Sequence, residues 1–286
     1  MMETIVSRDG KEVVIGHGRP TVLIGERINP AGKKKLAEAL VAGNLDIVRD
    51  EAIAQAKAGA DIIDVNVGTF GVDEVLLLPK AVQAVMEAVD LPLCIDSAKP
   101  EALEAALRVY KGKALINSVT GEERSLQAVL PLVKRYGAAV VGLVQDDEGV
   151  PKDAEGRVAI AHKIVEKAEA AGIPRQDVVI DCLATAVGAD AASGLAVIEA
   201  IRRVKSELGV NITLGASNIS FGLPDRELLN NAFLAMVVAA GATALIVDVA
   251  KVRHIILAAD LISNRDQHAR RYIQAYRQRQ SAQGTA

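Results

Sequence analysis

Along this chain, short runs of Val, Ile, Leu and Ala stop abruptly at polar groups, and a helical pattern follows each stop. The stops fall at Gly25-Glu26, Asp64-Val65-Asn66, Asp96-Ser97, Asn117-Ser118, Asp181, Ser217-Asn218 and Asp248. Residues 92–97 show the pattern plainly. An apolar run after Pro92 reads as a buried parallel strand ending in Asp96 and Ser97, and Pro100 then opens a helix at its first turn. Such strand ends are where α/β proteins build their sites.

The spacing predicts strands over 22–26, 62–68, 92–97, 114–118, 138–144, 178–183, 211–217 and 244–248. Helical periodicity fills the gaps, over 45–58, 73–89, 100–110, 123–136, 156–171, 191–208, 224–240 and from 251 onward. Gly59 and Gly172 stop two of these helices. Eight β/α units in about 255 residues suit a (β/α)₈ TIM barrel. A doubly wound sheet is the rival, but it concentrates its ligand signature at one switch point, whereas here nearly every strand ends in a polar group. No linker or composition shift divides the chain, so residues 1–286 are expected to form one barrel domain. A short strand and turn over 1–20 would cap its lower end as a β extension, and the Arg/Gln-rich stretch 267–286 would be a polar tail with a frayed end.

Half the residues are hydrophobic, yet aromatics make up only 2%. The core must therefore be Ala, Val, Leu and Ile, which suits parallel strands under Ala-rich helices. A net charge of −3 with both signs interspersed argues against a nucleic-acid surface. No apolar run reaches about 18 residues and no leader pattern opens the chain, so a soluble cytoplasmic protein is expected. Cys94 and Cys182 read as small buried hydrophobes. The four histidines have no metal-ligand spacing with each other or with the cysteines, and no metal site is expected. Lys33-Lys34-Lys35 reads as a solvated helix face.

In a barrel the strand ends converge on one mouth, here holding Glu26, Asp64, Asn66, Asp96, Asn117, Asp181, Asn218 and Asp248. That mouth is rich in carboxylates and amides and short of cations, a poor match for phosphates. It suits a heterocycle with several N–H donors, since a carboxylate accepts two parallel bonds from a ring N–H and an exocyclic amine. Structural roles compete at several positions. Asp64 and Asp248 also suit helix capping, Glu26 an ion pair with Arg27, and Asn66 and Asn117 a turn.

Gly25-Glu26-Arg27-Ile28-Asn29, Asp64-Val65-Asn66-Val67-Gly68, Leu93-Cys94-Ile95-Asp96-Ser97, Ile116-Asn117-Ser118 and Gly215-Ala216-Ser217-Asn218-Ile219-Ser220 occur in one order. In that order they resemble the methyltetrahydrofolate:corrinoid protein methyltransferases and the folate-binding barrel of cobalamin-dependent methionine synthase, from about residue 21 to 262. The resemblance implies that Asp96, Asn117 and Asp181 hold a pterin ring, with Asp64 and Asn66 lining the same pocket. Glu26, Gly215 and Ser217 complete the expected substrate-binding set. Asn218 would lie nearest N5, the atom that bears the methyl group, and with Asp96 would form the catalytic pair. Cobalamin would enter on a separate corrinoid protein, because the chain lacks an Asp-x-His-x-x-Gly element. A homodimer is a further family expectation.

Some members of the family carry Gln three residues after the matching Asn; here Phe221 stands instead, as in the methionine synthase branch. Dihydropteroate synthase is a more distant resemblance. Its Ser-Arg-Lys element is replaced here by Ser217-Asn218-Ile219, and its Arg-x-His end is missing after the last strand. A folate-binding module without catalysis is a third reading.

Overall fold

The computed structural model describes residues 2–283. A hairpin comes first: β1 (Glu3–Arg8) pairs antiparallel with β2 (Lys11–Gly16). Asp9 and Gly10 both take positive φ, the geometry of a tight two-residue hairpin turn. The barrel elements then alternate: β3 (Val22–Ile28), α1 (Lys34–Val41), α2 (Asp46–Ala58), β4 (Ile62–Asn66), α3 (Glu74–Ala88), β5 (Leu93–Asp96) and α4 (Pro100–Val109). They continue with β6 (Leu115–Thr120), α5 (Glu123–Tyr136), β7 (Ala139–Leu143), α6 (Ala154–Ala170), β8 (Val178–Asp181) and α7 (Ser193–Arg203). The last are β9 (Asn211–Thr213), α8 (Arg226–Ala240), β10 (Ala244–Val247), α9 (Val249–Ile262) and α10 (Arg270–Gln283).

The eight parallel strands run β10-β3-β4-β5-β6-β7-β8-β9 around the sheet. The seam between β9 and β10 closes through Thr243 N–H to Ile212 O (2.9 Å), Ile246 N–H to Leu214 O (3.1 Å) and a parallel bridge from Gly215 to Ile246. This is the expected (β/α)₈ barrel.

Strand periodicity divides the core into two shells. Ile24, Ile62, Cys94, Leu115, Val141 and Val179 point into the lumen, where Val6 and Ile15 of the hairpin join them from below. Leu23, Ile63, Ile95, Ile116, Val140 and Ile180 point outward against the helices. Strands covered on both faces must be apolar at consecutive positions, which is why they read as unbroken runs. Both cysteines are buried and free, as expected.

The hairpin is the lower cap anticipated over residues 1–20. Ser7 N–H bonds Lys113 O at 2.9 Å, and Tyr110 OH bonds Ser7 O at 2.9 Å. The Asn211 amide donates to Thr4 Oγ1 (2.9 Å) and Ile15 O (3.0 Å). All these contacts lie at the amino-terminal ends of strands, so the cap closes the end opposite the polar mouth.

Two expectations change. The run over 211–217 is not strand throughout: β9 stops at Thr213, and Ala216–Ser220 forms a 3₁₀ turn. The expected frayed tail is helical through Gln283, after a turn at His268 and Ala269, both at positive φ. The final residues, 284–286, lie outside the described residues.

Gly112 tests the cap. Its φ is +136°, and a Cβ there would lie 2.2 Å from Ser7 O. Gly112→Ala must strain the backbone and push the hairpin away, which should cost about 3 kcal/mol in a chemical-denaturation measurement. An unchanged midpoint would show that the hairpin contributes little to stability.

Candidate active site

The lumen positions of successive strands set the site. On β4, Ile62, Asp64 and Asn66 share one face, as Cys94 and Asp96 do on β5, Leu115 and Asn117 on β6, and Val179 and Asp181 on β8. Register aligns them: Asn66 pairs with Asp96, Asp96 with Asn117, and Leu143 with Asp181. β4, β5, β6 and β8 thus each contribute an apolar side chain to the floor and a polar one above it.

A cavity of about 460 Å³ opens over this layer. Of the residues anticipated at the site, Glu26, Asp64, Asp96, Asn117, Asp181, Gly215, Ser217 and Asn218 line it. Depth is graded. Asp64 and Asp181 are buried, Glu26, Asp96 and Asn117 half-buried, and Asn218 exposed at the rim. Asn66 departs from expectation: it does not line the cavity. Its Oδ1 accepts from Gly68 N–H at 2.8 Å in an Asx turn, while its amide bonds the Asp96 carboxylate. Asp248 faces a neighbouring cleft, 3.7 Å from Arg27 and 3.9 Å from Lys251.

Burial governs the carboxylates. It pushes Asp181 up from 3.8 to about 7, against the opposing pull of the Leu183 and Gly215 N–H groups. Burial likewise raises Asp96 to about 6, with the Asn66 bond opposing. Asp64 is held well above the ordinary range by burial first and by the Asp96 charge second; Asn117 donates to it at 3.4 Å. Burial also raises Glu26, while Lys33 counteracts. Such carboxylates lack the water that ordinarily solvates the anion, so a ligand bringing N–H donors supplies what is missing.

Several supports carry no local motif. Arg157, 1% exposed, donates to Cys182 O (2.9 Å), Leu183 O (2.7 Å) and Pro151 O (2.9 Å). It thereby holds Leu183 at φ +50°, with Leu183 N–H turned 2.7 Å from Asp181 Oδ1. Gln55 Oε1 accepts from Arg27 N–H at 2.9 Å and passes over Gly25, where a Cβ would lie 2.3 Å from it. Only glycine permits that approach beside Glu26. Lys33 is a second surprise. Lys34 and Lys35 are exposed as expected, but half-buried Lys33 lines the cavity and bonds Arg27 O at 2.9 Å. Among the described residues, no group of three His, Cys, Asp or Glu is arranged to hold a metal ion.

The family model for pterin binding enzymes matches residues 25–248. The chain belongs to that family. Within these pterin binding enzymes, a methylcorrinoid:tetrahydrofolate methyltransferase of Eubacterium limosum is 36% identical over 267 residues, 90% of this chain and 96% of that protein. A methionine synthase of Mycobacterium leprae is 34% identical over 248 residues, and the match spans 21% of that enzyme. The Yersinia pestis dihydropteroate synthase superposes with a TM-score of 0.68 at 18% identity, covering 91% of this chain and 98% of that one. A likeness at that identity shows the shared barrel alone.

Raised values for Asp96 and Asp181 mean that the folded protein holds protons the unfolded chain releases. Their stabilising effect is complete below about pH 4 and is lost as pH rises through the folded values of about 6 and about 7. The ligand-free protein should therefore lose stability between about pH 4 and pH 7 in denaturant titrations. Asp181→Asn should make that decline shallower by up to about 4 kcal/mol, at about 1.4 kcal/mol per pKa unit. An identical slope in the variant would place the titrating group elsewhere.

Proposed function

We propose that this chain is a methyltransferase that moves a methyl group between N5 of tetrahydrofolate and the cobalt of a corrinoid on a separate protein. The observation that carries this reading is the convergence of Asp96, Asn117, Asp181 and Asn218 on one cavity. It does so in a chain matched to 96% of a methylcorrinoid:tetrahydrofolate methyltransferase. That relative's name favours loading of tetrahydrofolate, though one site serves both directions.

Asp96 and Asp181 accept the ring N–H and amino donors of the pterin, and Asn117 bridges its mixed edge. The ring enters with this edge down, toward the buried carboxylates, and N5 stays near the rim beside Asn218. Cob(I)alamin on the partner supplies the nucleophile that takes the methyl group. The amine at N5 is a poor leaving group, so a hydrogen bond from the Asn218 amide stabilises charge as the carbon–nitrogen bond breaks. Phe221, 69% exposed, offers no polar contact at the position beyond it. The barrel, its amino-terminal hairpin and its carboxy-terminal helix work as one unit over 1–286. In this reading the protein is a cytoplasmic homodimer that engages neither nucleic acid nor membrane. No helix among the described residues is long and apolar enough to cross a membrane.

A dihydropteroate synthase reaction needs a diphosphate site. The cavity lining sets one cation, Lys33, against Glu26, Asp64, Asp96 and Asp181, which opposes an anionic substrate. A non-catalytic folate module is separated from an enzyme by kinetics.

Anaerobic mixing of the protein with methyltetrahydrofolate and cob(I)alamin, followed by cobalamin absorbance, tests the reading. Asn218→Ala should slow transfer by about 10²–10³-fold while folate still binds. Asp96→Ala should weaken binding itself. Transfer at the wild-type rate in Asn218→Ala would remove that residue from the chemistry, and absent folate binding in the wild type would remove the pterin. Because ionised carboxylates accept the pterin donors, affinity should also weaken by up to about tenfold per unit, below about pH 7 through Asp181 and below about pH 6 through Asp96 as well. Isothermal titration at pH 6 and pH 8 reads this directly.

A further inference from the structure

Glu26 differs from the other carboxylates of the cavity. Asp64 is met by the Asn117 amide at 3.4 Å, Asp96 by the Asn66 amide, and Asp181 by Leu183 N–H at 2.7 Å. Among the described residues, the Glu26 carboxylate accepts no hydrogen bond and enters no ion pair. The pairing expected with Arg27 is not formed; Arg27 turns instead to Glu51 (3.3 Å) and Asp248 (3.7 Å). A half-buried carboxyl with free oxygens on a ligand cavity is placed to exchange a proton with what binds there.

Strand order says which part of a ligand it would meet. Glu26 shares the lumen face of β3 with Ile24, between β4 on one side and β10, then β9, on the other. It lines the cavity with Ser217 and Asn218, and with Ser217 it also borders a neighbouring cleft, so it faces the turn that carries Asn218. In the pterin reading the groups that hold the ring come from β5, β6 and β8, and N5 points to that turn. The side toward β10 and β3 is left to Glu26, since β10 adds only Ile246 to the cavity lining. Lys33 before α1, Arg27 on β3 and Lys251 on α9 favour the Glu26 anion, while Asp248 and Asp64 oppose it. Burial is the largest influence and leaves the carboxyl holding its proton to higher pH than an exposed glutamate.

We propose that Glu26 is the catalytic residue that exchanges a proton with N5; the inference rests on the pterin reading above. The Asn218 amide can hydrogen-bond N5 but does not surrender a proton. Asp96 and Asp181 are committed as anions to the ring donors. In transfer to the corrinoid, the carbon–nitrogen bond breaks and its electron pair stays on N5, while the methyl carbon bonds to cobalt through the electron pair of cob(I)alamin. The Glu26 proton goes to N5, which becomes the N–H of tetrahydrofolate, and water at the open mouth reprotonates the carboxylate. In the other direction the carboxylate removes that proton as the methyl group arrives. Lys33 is the rival donor, but its ammonium is already turned to Arg27 O at 2.9 Å and Glu26 O at 3.4 Å.

The test is single-turnover transfer from methyltetrahydrofolate, saturating at each pH, to cob(I)alamin under anaerobic conditions across roughly pH 6–9. The wild type, Glu26→Gln, Glu26→Asp and Lys33→Ala are compared. The wild-type rate should fall as pH rises and the Glu26 proton is lost. Glu26→Gln should be slower by about 10²–10⁴-fold and flat with pH, while equilibrium binding of methyltetrahydrofolate reports its pterin site intact. Glu26→Asp should restore part of the rate and its pH dependence. Lys33→Ala should keep the fall and move its midpoint upward, because Lys33 leads the charges that favour the Glu26 anion. A Glu26→Gln protein that matches the wild type in rate and pH profile overturns the proposal, and so does one that no longer binds the folate. Loss of the pH dependence in Lys33→Ala overturns it as well. If the wild type binds no methyltetrahydrofolate the pterin reading fails, and if it binds but transfers no methyl group the reaction reading fails; this inference falls with either.

Discussion

Carboxylates held above an apolar barrel interior dominate this molecule. Asp64 and Asp181 project from parallel strands into a lumen floored by Ile, Leu, Val and Cys side chains, and the hairpin seals the far end with Val6 and Ile15. Water reaches them only from the mouth. Their anions are correspondingly costly, which is why burial leads the causes that raise Asp64, Asp96 and Asp181. Among the described residues the buried Arg157 only partly offsets Asp181. The site is therefore selective by omission. It rewards neutral donors that approach from above and repels anions, and this follows from strand register as much as from residue identity.

A layer so costly to hold needs rigid support, and that support comes from the backbone. Leu183 sits in a conformation that L residues seldom adopt, at a cost of about 1–3 kcal/mol. Arg157 sustains it by tying the loop after β8 to the start of α6, through carbonyls on both segments. The reward is geometric: the Leu183 N–H is aimed at Asp181, fixing the carboxylate in one orientation. Gln55 does the same for the end of β3, using the space that Gly25 leaves open. Asn66 serves Asp96 in a comparable way. Positioning side chains thus stand behind those that line the cavity, as a preorganised site requires.

The barrel was legible in the sequence because both shells of a parallel sheet are apolar, leaving eight uninterrupted runs between helical periods. The polar layer was legible because the runs of β4, β5, β6 and β8 end in a polar residue at a lumen position. What escaped had no periodic signature. The 3₁₀ turn at Ala216–Ser220 follows an apolar stretch that continues the strand pattern past Thr213, so Ser217 and Asn218 looked like strand ends. Arg157 lies 25 and 26 residues from two of the carbonyls it binds, a distance at which no local pattern exists. Lys33 differs from its two neighbours only in standing before the first turn of α1, where the side chain folds back toward the strand. Asn66 was placed in the pocket although the same residue type also suits a turn, and the turn prevailed at its oxygen.

The gradient of exposure from floor to rim has a chemical logic. Recognition of the ring benefits from low dielectric, where each hydrogen bond to a carboxylate is strengthened and a wrong donor pattern is penalised. The proposed methyl transfer has the opposite need, because the corrinoid is carried on another macromolecule and must approach the reacting atom directly. Asn218 is the exposed member of the polar set, on a short turn at the mouth, where a second protein can come down over it. Burying Asn218 as deeply as Asp181 would strengthen its hydrogen bond and close the route to the partner. On the proposed reading the fold separates the two demands along the barrel axis, with selectivity at the bottom of the cavity and reactivity at the top. In the proposed reaction that separation leaves the neutral Asn218 amide to meet N5 at the rim. With the ring held rigidly from below, a single well-placed donor at the rim can act without the pKa tuning that an exposed acid would need.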